Sequence, residues 1–270
     1  MKELVYDCDR EKLGPALAAR FLPLSCDEET ERWVATWQPR PHGVFTTTLM
    51  RLLGRFATSY DVHGLLRAYP MHLLSERAWG ELLGGRVRAL LDVGAGAGYV
   101  TERASGFCEE LCCTETSHAL QKRLRERGLT IYPVDLTVQP LEREFDVISC
   151  LNVLDRTAEP LTLLRSLVGH LRSEGRLIVS IPLPPSPHVH VKGGTVAQRE
   201  RLPSVASDWE TAARELSERL FPAAGLEVLR LARTPYLSRG DRAASLYVLD
   251  AAIWLLRVSP DSSVRPVSSG

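Results

Sequence analysis

The sequence lacks an excess of charge of either sign, since 33 lysine and arginine residues balance 33 aspartate and glutamate residues. Non-specific nucleic-acid binders usually carry a basic excess, so we expect no nucleic-acid partner. No apolar run approaches the roughly 20 residues that span a bilayer, so we expect no membrane partner. Asp7, Asp9 and Glu11 interrupt the stretch where an export signal needs apolar residues, which predicts a cytoplasmic protein.

The six cysteines contain no paired C-x-x-C spacing, so we expect neither a zinc site nor any other metal. A disulfide framework is also not expected in a chain of this length. Cys112, Cys113 and Cys150 lie in apolar segments and are predicted to be buried on strands. Hydrophobic residues make up 44% of the chain and charged residues 24%, which excludes wholesale disorder and predicts a globular protein.

From residue 87 onward, short apolar runs alternate with amphipathic segments that begin at Ser, Glu or Asp and end at Gly. Such alternation predicts a parallel sheet with helices on both faces. The last two predicted strands have no helix between them, which predicts a hairpin and one antiparallel strand. Predicted strands cover 87–94, 109–115, 129–135, 145–151, 176–183, 226–233 and 245–257, and predicted helices cover 98–106, 117–128, 159–175 and 208–225.

Seven strands with one reversed form the outline of the α/β class I methyltransferase fold that uses S-adenosylmethionine (SAM), a Rossmann-like sheet recognised here by analogy. We assign this domain to 87–257. Residues 1–86 lack the alternation and hold helical pieces at 47–60 and 73–84, so we predict an N-terminal helical cap or lid. The polar segment 258–270 is predicted to be a flexible tail.

Three glycines, Gly94, Gly96 and Gly98, follow the first predicted strand of this domain. Glycine permits a tight turn and a close approach of the backbone to a ligand, and open α/β sheets bind ligands at this end of the strand. The spacing G-x-G-x-G differs from the dinucleotide fingerprint G-x-G-x-x-G. Together with Asp92, two residues before the first glycine, it favours SAM. Asp92 can hold the methionine ammonium group directly or through water, and Ala95 belongs to the same cofactor loop.

A second acid, Glu115, ends the next strand about 20 residues after Gly94, the spacing at which a carboxylate meets ribose hydroxyls. Thr116 follows it and is assigned to the same cofactor site. Asp135 ends the third strand, where an acid can meet the adenine amino group. The alternatives are a solvated carboxylate at a strand end for Glu115 and a turn-initiating residue for Asp135.

Beyond the glycine loop, several strings together resemble the DREV, or methyltransferase-like protein nine, family of protein-histidine N-methyltransferases. The resemblance covers about residues 71–257, and the L-N-x-L-D-R and P-Y-L…G-D…Y-V-L-D patterns are more specific than the glycines. The strings are LLDVGAGAGYVT, FDVISCLNVLDR, EPLTLL, GRLIVSIPLP, RTPYL, GD and YVLDAAIWLL.

The resemblance implies SAM-dependent methylation of His-x-His sequences with a small middle residue, at the ring nitrogen nearer the backbone (the pros nitrogen). Attack on a sulfonium methyl group needs the lone pair of that nitrogen, with the proton held on the other. A fixed carboxylate that accepts the other N–H would select this tautomer. Asp155, just past the fourth strand, is our candidate, and a helix N-cap is its alternative role.

Other residues in the matching strings are assigned with less specific chemistry. Asn152 orients substrate or touches the methionine part of SAM, with a turn residue as the alternative. Arg156 pairs with Asp155 or with an acidic substrate residue. Tyr236 and Tyr247 each offer a flat ring and a hydroxyl to a substrate imidazole, unless they are core residues. Asp241, between the last two strands, is assigned to substrate binding, with a turn role as its alternative.

The Pro-rich segment 181–194 contains a His-x-His string of its own, His188-Val189-His190. We hypothesise that it is automethylated or mimics substrate, although Val is bulkier than the preferred middle residue, and a plain surface loop is the alternative. For the whole chain, the alternatives to a protein-histidine methyltransferase are a small-molecule N- or O-methyltransferase and a non-catalytic SAM-binding protein. The expected partners are proteins or peptides with His-x-His, and the expected state is a monomer.

Overall fold

The computed structural model describes residues 3–53, 58–66, 70–241 and 243–260. Residues 261–270 of the predicted tail and residues 54–57 of the predicted helix at 47–60 lie outside the described residues. The strands are β1 Met71–His72, β2 Val87–Val93, β3 Cys108–Thr114, β4 Thr130–Tyr132, β5 Phe145–Leu151, β6 Leu171–Pro182, β7 Val189–Val191, β8 Gly194–Val196, β9 Leu226–Arg239 and β10 Leu246–Val258.

The helices lie before, between and after these strands. They are α1 Arg10–Leu13, α2 Pro15–Ala18, α3 Glu28–Trp37, α4 Val44–Leu53, α5 Ser59–Leu66, α6 Glu76–Leu83, α7 His118–Glu126, α8 Pro160–Val168, α9 Trp209–Glu215 and α10 Phe221–Ala223, with a 3-10 helix at Thr101–Phe107 and a π-helical turn at Leu216–Leu220. No helix in the described ranges is long and apolar enough to cross a membrane.

Eight strands form one sheet in the order β1-β9-β10-β6-β5-β2-β3-β4. The run from β6 to β4 is parallel. Strand β10 is antiparallel to both β6 and β9, so β9 points the same way as the parallel strands. The predicted seven-stranded sheet with one reversed strand is therefore confirmed, and the short β1 adds an eighth strand at the edge, antiparallel to β9.

Both faces of the sheet are covered, which explains why its strands are continuous apolar runs. Leu90 and Leu91 are neighbours on β2 and belong to two different hydrophobic clusters, because successive side chains of a strand point to opposite faces. Cys112, Cys113 and Cys150 are fully buried on strands, as predicted. All six cysteines are free thiols.

The predicted helix at 159–175 is wrong at its C-terminal end. Helix α8 ends at Val168, and β6 already begins at Leu171. Leu171 pairs with Phe145, and the register between β5 and β6 shifts before Val147. A Cβ at Gly175 would stand 2.8 Å from the carbonyl oxygen of Arg172, so this glycine permits an irregularity inside the strand rather than ending a helix.

The predicted helix at 208–225 begins and ends where its signals lie. Asp208 caps it by accepting a hydrogen bond of 3.0 Å from the Thr211 amide. Gly225 ends it with a φ of 76°, a conformation that favours glycine. The π-helical turn in its middle was not predicted, because the apolar spacing of the segment does not distinguish one helical hydrogen-bond pattern from another.

The N-terminal segment packs against both faces of the sheet. Leu13 and Leu17 belong to the cluster on one face, and Trp79 of α6 belongs to the cluster on the other. Phe21 forms an isolated β-bridge with Leu231 of β9. The division at 86/87 between a cap and a methyltransferase domain stays a prediction.

Candidate active site

The glycine loop follows β2 at the edge of the sheet where the parallel strands end. Gly94, Gly96 and Gly98 have φ values of 67°, 60° and 80°, all in the left-handed region that favours glycine. A Cβ at Gly94 would stand 2.9 Å from a methyl carbon of Val153. The backbone of the loop therefore lies directly against the segment that follows β5, which is the segment that carries Asn152 and Asp155.

The loop is also bonded to the end of the neighbouring strand. The Gly94 amide donates to the Thr114 hydroxyl at 3.2 Å, and the Ala95 amide donates to the Thr114 carbonyl oxygen at 3.1 Å. The Gly96 amide donates to the Glu115 carboxylate at 3.0 Å. These bonds fix the glycine loop to the end of β3 and to Glu115.

Asp92 lies beneath the loop and is only 3% exposed. Its two carboxylate oxygens accept hydrogen bonds from the hydroxyls of Thr101 at 2.5 Å and Ser149 at 2.6 Å. Burial raises the pKa of Asp92 to about 6, and the two hydroxyls lower it. Asp92 therefore joins β2 to the 3-10 helix and to β5, and its burial favours a contact with the methionine ammonium group through water over a direct one.

Glu115 is buried immediately after β3 and connects two loops. One oxygen accepts from the Gly96 amide, and the other accepts from the Ser117 amide at 2.8 Å. Burial raises the pKa of Glu115, and these amides lower it. The Thr116 amide also hydrogen-bonds to this carboxylate. The two oxygens have about four lone pairs, so the three amides leave one acceptor position, which suits a ribose hydroxyl.

The two other predicted cofactor residues on this side are exposed. Thr116 lies next to Glu115 at the surface. One carboxylate oxygen of Asp135 accepts from the Thr137 amide at 2.9 Å and from the Thr137 hydroxyl at 2.7 Å. These bonds are those of a turn-initiating residue, the alternative role we considered for Asp135, and they leave its second oxygen for an adenine amino group.

Asn152 ends β5 in an unusual conformation. Its φ of 57° is the only positive value at a non-glycine residue in the described ranges. The backbone amide of Asn152 donates to the Ser180 hydroxyl at 2.9 Å, and the side-chain Oδ1 of Asn152 accepts from the same hydroxyl at 2.8 Å. These bonds fix the side chain and do not use its NH₂ donors, which are the groups that a substrate or cofactor could meet.

Asp155 is 1% exposed, and one of its carboxylate oxygens, Oδ1, is buried with no hydrogen-bond partner. The other oxygen lies 3.2 Å from Nε of Arg156. Burial raises the pKa of Asp155 to about 6, and Arg156 and His188 lower it. A buried carboxylate oxygen without a partner is costly, and such exceptions are frequent at functional sites.

Tyr236, Tyr247 and Asp241 lie on the part of the β9–β10 hairpin that extends past the end of β6. Ala251 pairs with Pro182, the last residue of β6, and both tyrosines lie further toward the tip. The Tyr236 hydroxyl donates to Sδ of Met71 at 2.7 Å.

Asp241 and Tyr247 contact each other near the tip of this hairpin. The Ala243 amide and the Tyr247 hydroxyl hold the pKa of Asp241 below its usual range. Tyr247 is 38% exposed. The three hairpin residues thus form a rim that contacts the N-terminal segment, and a part in substrate binding remains a prediction for each of them.

Sequence reasoning missed four polar residues that position the site. Thr101 and Ser149 hold Asp92, and Ser117 holds Glu115. The Ser117 hydroxyl in turn donates to Asp61 of α5 at 2.5 Å, which brings the N-terminal segment to the ribose side of the site. Thr101 and Ser149 carry no motif in the sequence, because Asp92 lies 9 and 57 residues away from them along the chain.

The residues present fit a nucleoside with a charged tail. No atom lies within 4 Å of the position a Cβ would take at Gly96, so the loop borders open space there. Glu115 keeps an acceptor position beside that space, and Asp92 places a carboxylate beneath it. In the described residues, no cluster of three or more His, Cys, Asp or Glu side chains could hold a metal ion.

A sequence profile of DREV methyltransferases matches residues 5–258. The chain belongs to the DREV methyltransferase family. It is therefore a SAM-dependent methyltransferase, as predicted, with SAM as its cofactor. Its parallel sheet with β10 reversed has the predicted class I order. The family match also reaches further toward the N-terminus than the resemblance at about 71–257, so most of the predicted cap is part of the family's sequence.

Curated relatives of this DREV chain include two bacterial enzymes named ubiquinone biosynthesis O-methyltransferase. The enzyme from Actinobacillus pleuropneumoniae serotype 5b is 30% identical, with 46% of this chain and 59% of that protein covered. The enzyme from Neisseria meningitidis serogroup C is 24% identical, with 65% of this chain and 75% of that protein covered. The chain thus spans less than two thirds of the first of these relatives.

Solved structures similar to this chain include methyltransferases of low identity. The N-methyltransferase NodS from Bradyrhizobium japonicum WM9, in complex with S-adenosyl-L-homocysteine, is 18% identical with a TM-score of 0.45, covering 69% of this chain and 86% of that chain. A TehB-like SAM-dependent methyltransferase from Corynebacterium glutamicum is 16% identical with a TM-score of 0.44, covering 69% of this chain and 88% of that chain.

Proposed function

We propose that this DREV methyltransferase transfers the methyl group of SAM to the pros nitrogen of a histidine in His-x-His sequences of proteins or peptides. The observation that carries the proposal is the buried Oδ1 of Asp155, a carboxylate oxygen without a hydrogen-bond partner beside the glycine loop. This oxygen can accept a hydrogen bond, and the N–H of a neutral imidazole can donate one.

The cofactor residues are assigned by their contacts. Glu115 would accept a ribose hydroxyl, and the backbone of 94–98 would pass beneath the sugar and the methionine chain. Asp92 would meet the ammonium group through water, and Asp135 and Thr116 would border the adenine. When bound, SAM supplies an electrophilic methyl carbon on a sulfonium, and S-adenosyl-L-homocysteine is the product.

The acceptor residues bind and orient the histidine. Asp155 would accept the N–H of the ring nitrogen farther from the backbone, which leaves the lone pair of the nearer nitrogen available for attack. Arg156 lies 3.2 Å from the other oxygen of Asp155 and helps to keep the carboxylate ionised. Asn152, with its donors free, would contact the substrate backbone or the methionine part of SAM.

The hairpin rim completes the proposed substrate surface. Tyr236 and Tyr247 would present aromatic rings to the flanking residues or to the second imidazole, and Asp241 would pair with a donor of the peptide. On the basis of the sequence alone, we also propose a cytoplasmic location, a monomeric state and no nucleic-acid or membrane partner.

A hydroxyl acceptor is the second candidate, because the curated relatives are named as O-methyltransferases. One assay separates the two. We expect methyl transfer from labelled SAM to a peptide that contains Ala-His-Ala-His, with fragmentation assigning the product to the pros nitrogen. The control peptide has both histidines replaced by alanine, and a phenol serves as the hydroxyl acceptor. Labelling of the control peptide, or of the phenol alone, would overturn the histidine assignment.

A further inference from the structure

The chain places a His-x-His string of its own on the proposed acceptor segment. Strands β7 and β8 form a small hairpin after β6, and His188 and His190 lie at its start. The His188 amide donates to the Asp155 carbonyl oxygen at 3.0 Å, and the Arg156 guanidinium contacts the His188 ring. Of the residue pair assigned to bind a substrate imidazole, Arg156 is therefore already in contact with an imidazole of the same chain, and Asp155 is bonded to the backbone of that histidine.

The two rings are packed rather than solvated. Their centroids are 4.8 Å apart at an interplanar angle of 86°, an edge-to-face contact. Both residues are half-buried. Burial lowers the pKa of His190, and His188 and Arg156 lower it further, so this ring is neutral at neutral pH. A substrate histidine must be neutral in the same way before it can attack.

The far side of the hairpin is anchored to the same segment. The Gln198 side-chain NH₂ donates to the carbonyl oxygens of Leu154 and Thr157, each at 2.7 Å. The Glu200 carboxylate accepts from the amides of Leu161 and Thr162 at 2.8 and 2.9 Å. The insertion is thus bonded to the chain before and after Asp155 as well as to Asp155 itself. These bonds distinguish it from the plain surface loop that we considered as the alternative.

We propose that the His188–His190 hairpin is a built-in competitor of the substrate, in which the His188 ring holds the Arg156 side of the imidazole site and leaves Oδ1 of Asp155 unpaired until a His-x-His peptide displaces the hairpin. This inference rests on the proposed function, because it requires that Asp155 and Arg156 bind the substrate histidine. Binding to a site that is free for only part of the time weakens apparent affinity in proportion to the free fraction.

A hydrogen bond within the hairpin indicates why the internal histidine would compete without reacting. Nδ1 of His188, the nitrogen nearer the backbone, lies 2.9 Å from the Ser186 carbonyl oxygen. The Arg156 guanidinium contacts the same Nδ1, so this nitrogen is enclosed by two neighbours and is not open to attack on the methyl carbon. Val189, between the two histidines in the sequence, is also bulkier than the small middle residue that the family resemblance implies.

The test compares the full-length chain with a His188→Ala/His190→Ala variant, which removes both rings and keeps the hairpin backbone. The matched control is Lys192→Ala, a truncation of an exposed side chain in the same hairpin. With the Ala-His-Ala-His peptide and saturating SAM, we expect KM for the peptide to fall about fivefold or more in the double variant, with kcat unchanged. Lys192→Ala should match the unmodified chain, and titration calorimetry should give equal SAM affinity for all three proteins.

Three outcomes would overturn the inference. Equal KM values in the double variant and the unmodified chain would mean that the hairpin does not compete, while the proposed function stands. A gain of one methyl group on His188 or His190 in intact-mass analysis would make the hairpin a substrate instead. Failure of all three proteins to methylate or bind the peptide, with SAM affinity intact, would refute the proposed function itself and the competitor with it.

Discussion

The two halves of the site treat their carboxylates differently. In the cofactor half, every oxygen of Asp92 and Glu115 accepts a hydrogen bond from the chain. In the acceptor half, Asp155 is equally buried, yet its Oδ1 has no partner. Hydrogen bonds within the chain thus fix both carboxylates of the cofactor half. In the acceptor half, Oδ1 of Asp155 can still accept a hydrogen bond.

This difference supports the proposed division, in which Asp92 and Glu115 bind the cofactor and Asp155 binds the reacting histidine. A bonded carboxylate contributes rigidity and offers its remaining lone pairs to a ligand that must be held in one position. A buried carboxylate oxygen without a partner, such as Oδ1 of Asp155, destabilises the protein until a donor bonds to it. We therefore expect mutations in the two halves to separate into effects on SAM affinity and effects on turnover.

We expect the largest effect, a loss of kcat, from substitution of Asp155. Asp155→Asn keeps the shape of the side chain but presents an amide, so it loses the charge that selects and steadies the imidazole tautomer. We expect kcat for the His-x-His peptide to fall about 100-fold or more, with SAM affinity unchanged in titration calorimetry. Asp155→Ala should behave alike.

The matched control is Glu159→Gln, which alters a carboxylate in the same segment that pairs with Arg199 at the surface. Its turnover should stay close to that of the unmodified chain. An Asp155→Asn variant with full turnover would remove the role assigned to Asp155 and with it the contrast between the halves.

Substitution in the cofactor half should have the opposite pattern. Glu115→Ala removes the acceptor of the Gly96 and Ser117 amides together with the proposed ribose acceptor. We expect SAM to bind about 10- to 50-fold more weakly in titration calorimetry, which corresponds to the loss of one or two charge-assisted hydrogen bonds. At saturating SAM, kcat should change little.

Glu109→Ala, an exposed substitution on the same strand, serves as the control and should leave SAM affinity as it is. If Glu115→Ala binds SAM as tightly as the unmodified chain does, the ribose lies elsewhere.

The smallest expected effect is on pH dependence. Burial raises the pKa of Asp155 to about 6, so the carboxylate is ionised above that pH and protonated below it. Only the ionised form has the charge that the imidazole N–H needs. At pH 5.5 about a quarter of the molecules retain it, so kcat/KM at saturating SAM should fall about fourfold beyond the loss caused by protonation of the peptide.

The comparison with Asp155→Asn isolates this contribution, because peptide protonation affects both proteins equally. The ratio of their kcat/KM values should shrink as pH falls through 6. A ratio that is constant from pH 5 to 8 would mean that Asp155 does not titrate in the free enzyme.

Local sequence signals predicted most of the sheet, because buried parallel strands are marked by apolar runs that end in glycine or polar residues. The prediction at 145–151 coincides with β5, Phe145–Leu151. The prediction of a helix as far as 175 was wrong after Val168. The apolar residues there fit both helical and strand periodicity, and pairing with β5 makes this part a strand. Asp135 shows the same limit at a single residue, since the bonds of a turn residue were visible only in the structure.

By itself the sequence determined the family, the order of strands and helices, and the positions of the glycine loop, Glu115 and Asp155, since these depend on residue type and local spacing. Only the tertiary structure decided that Thr101 and Ser149 hold Asp92, that α5 contacts Ser117 beside Glu115, and that the His188 amide bonds to Asp155. Those contacts join segments far apart in the chain, and hydrogen bonds between distant side chains leave no periodic trace in the sequence.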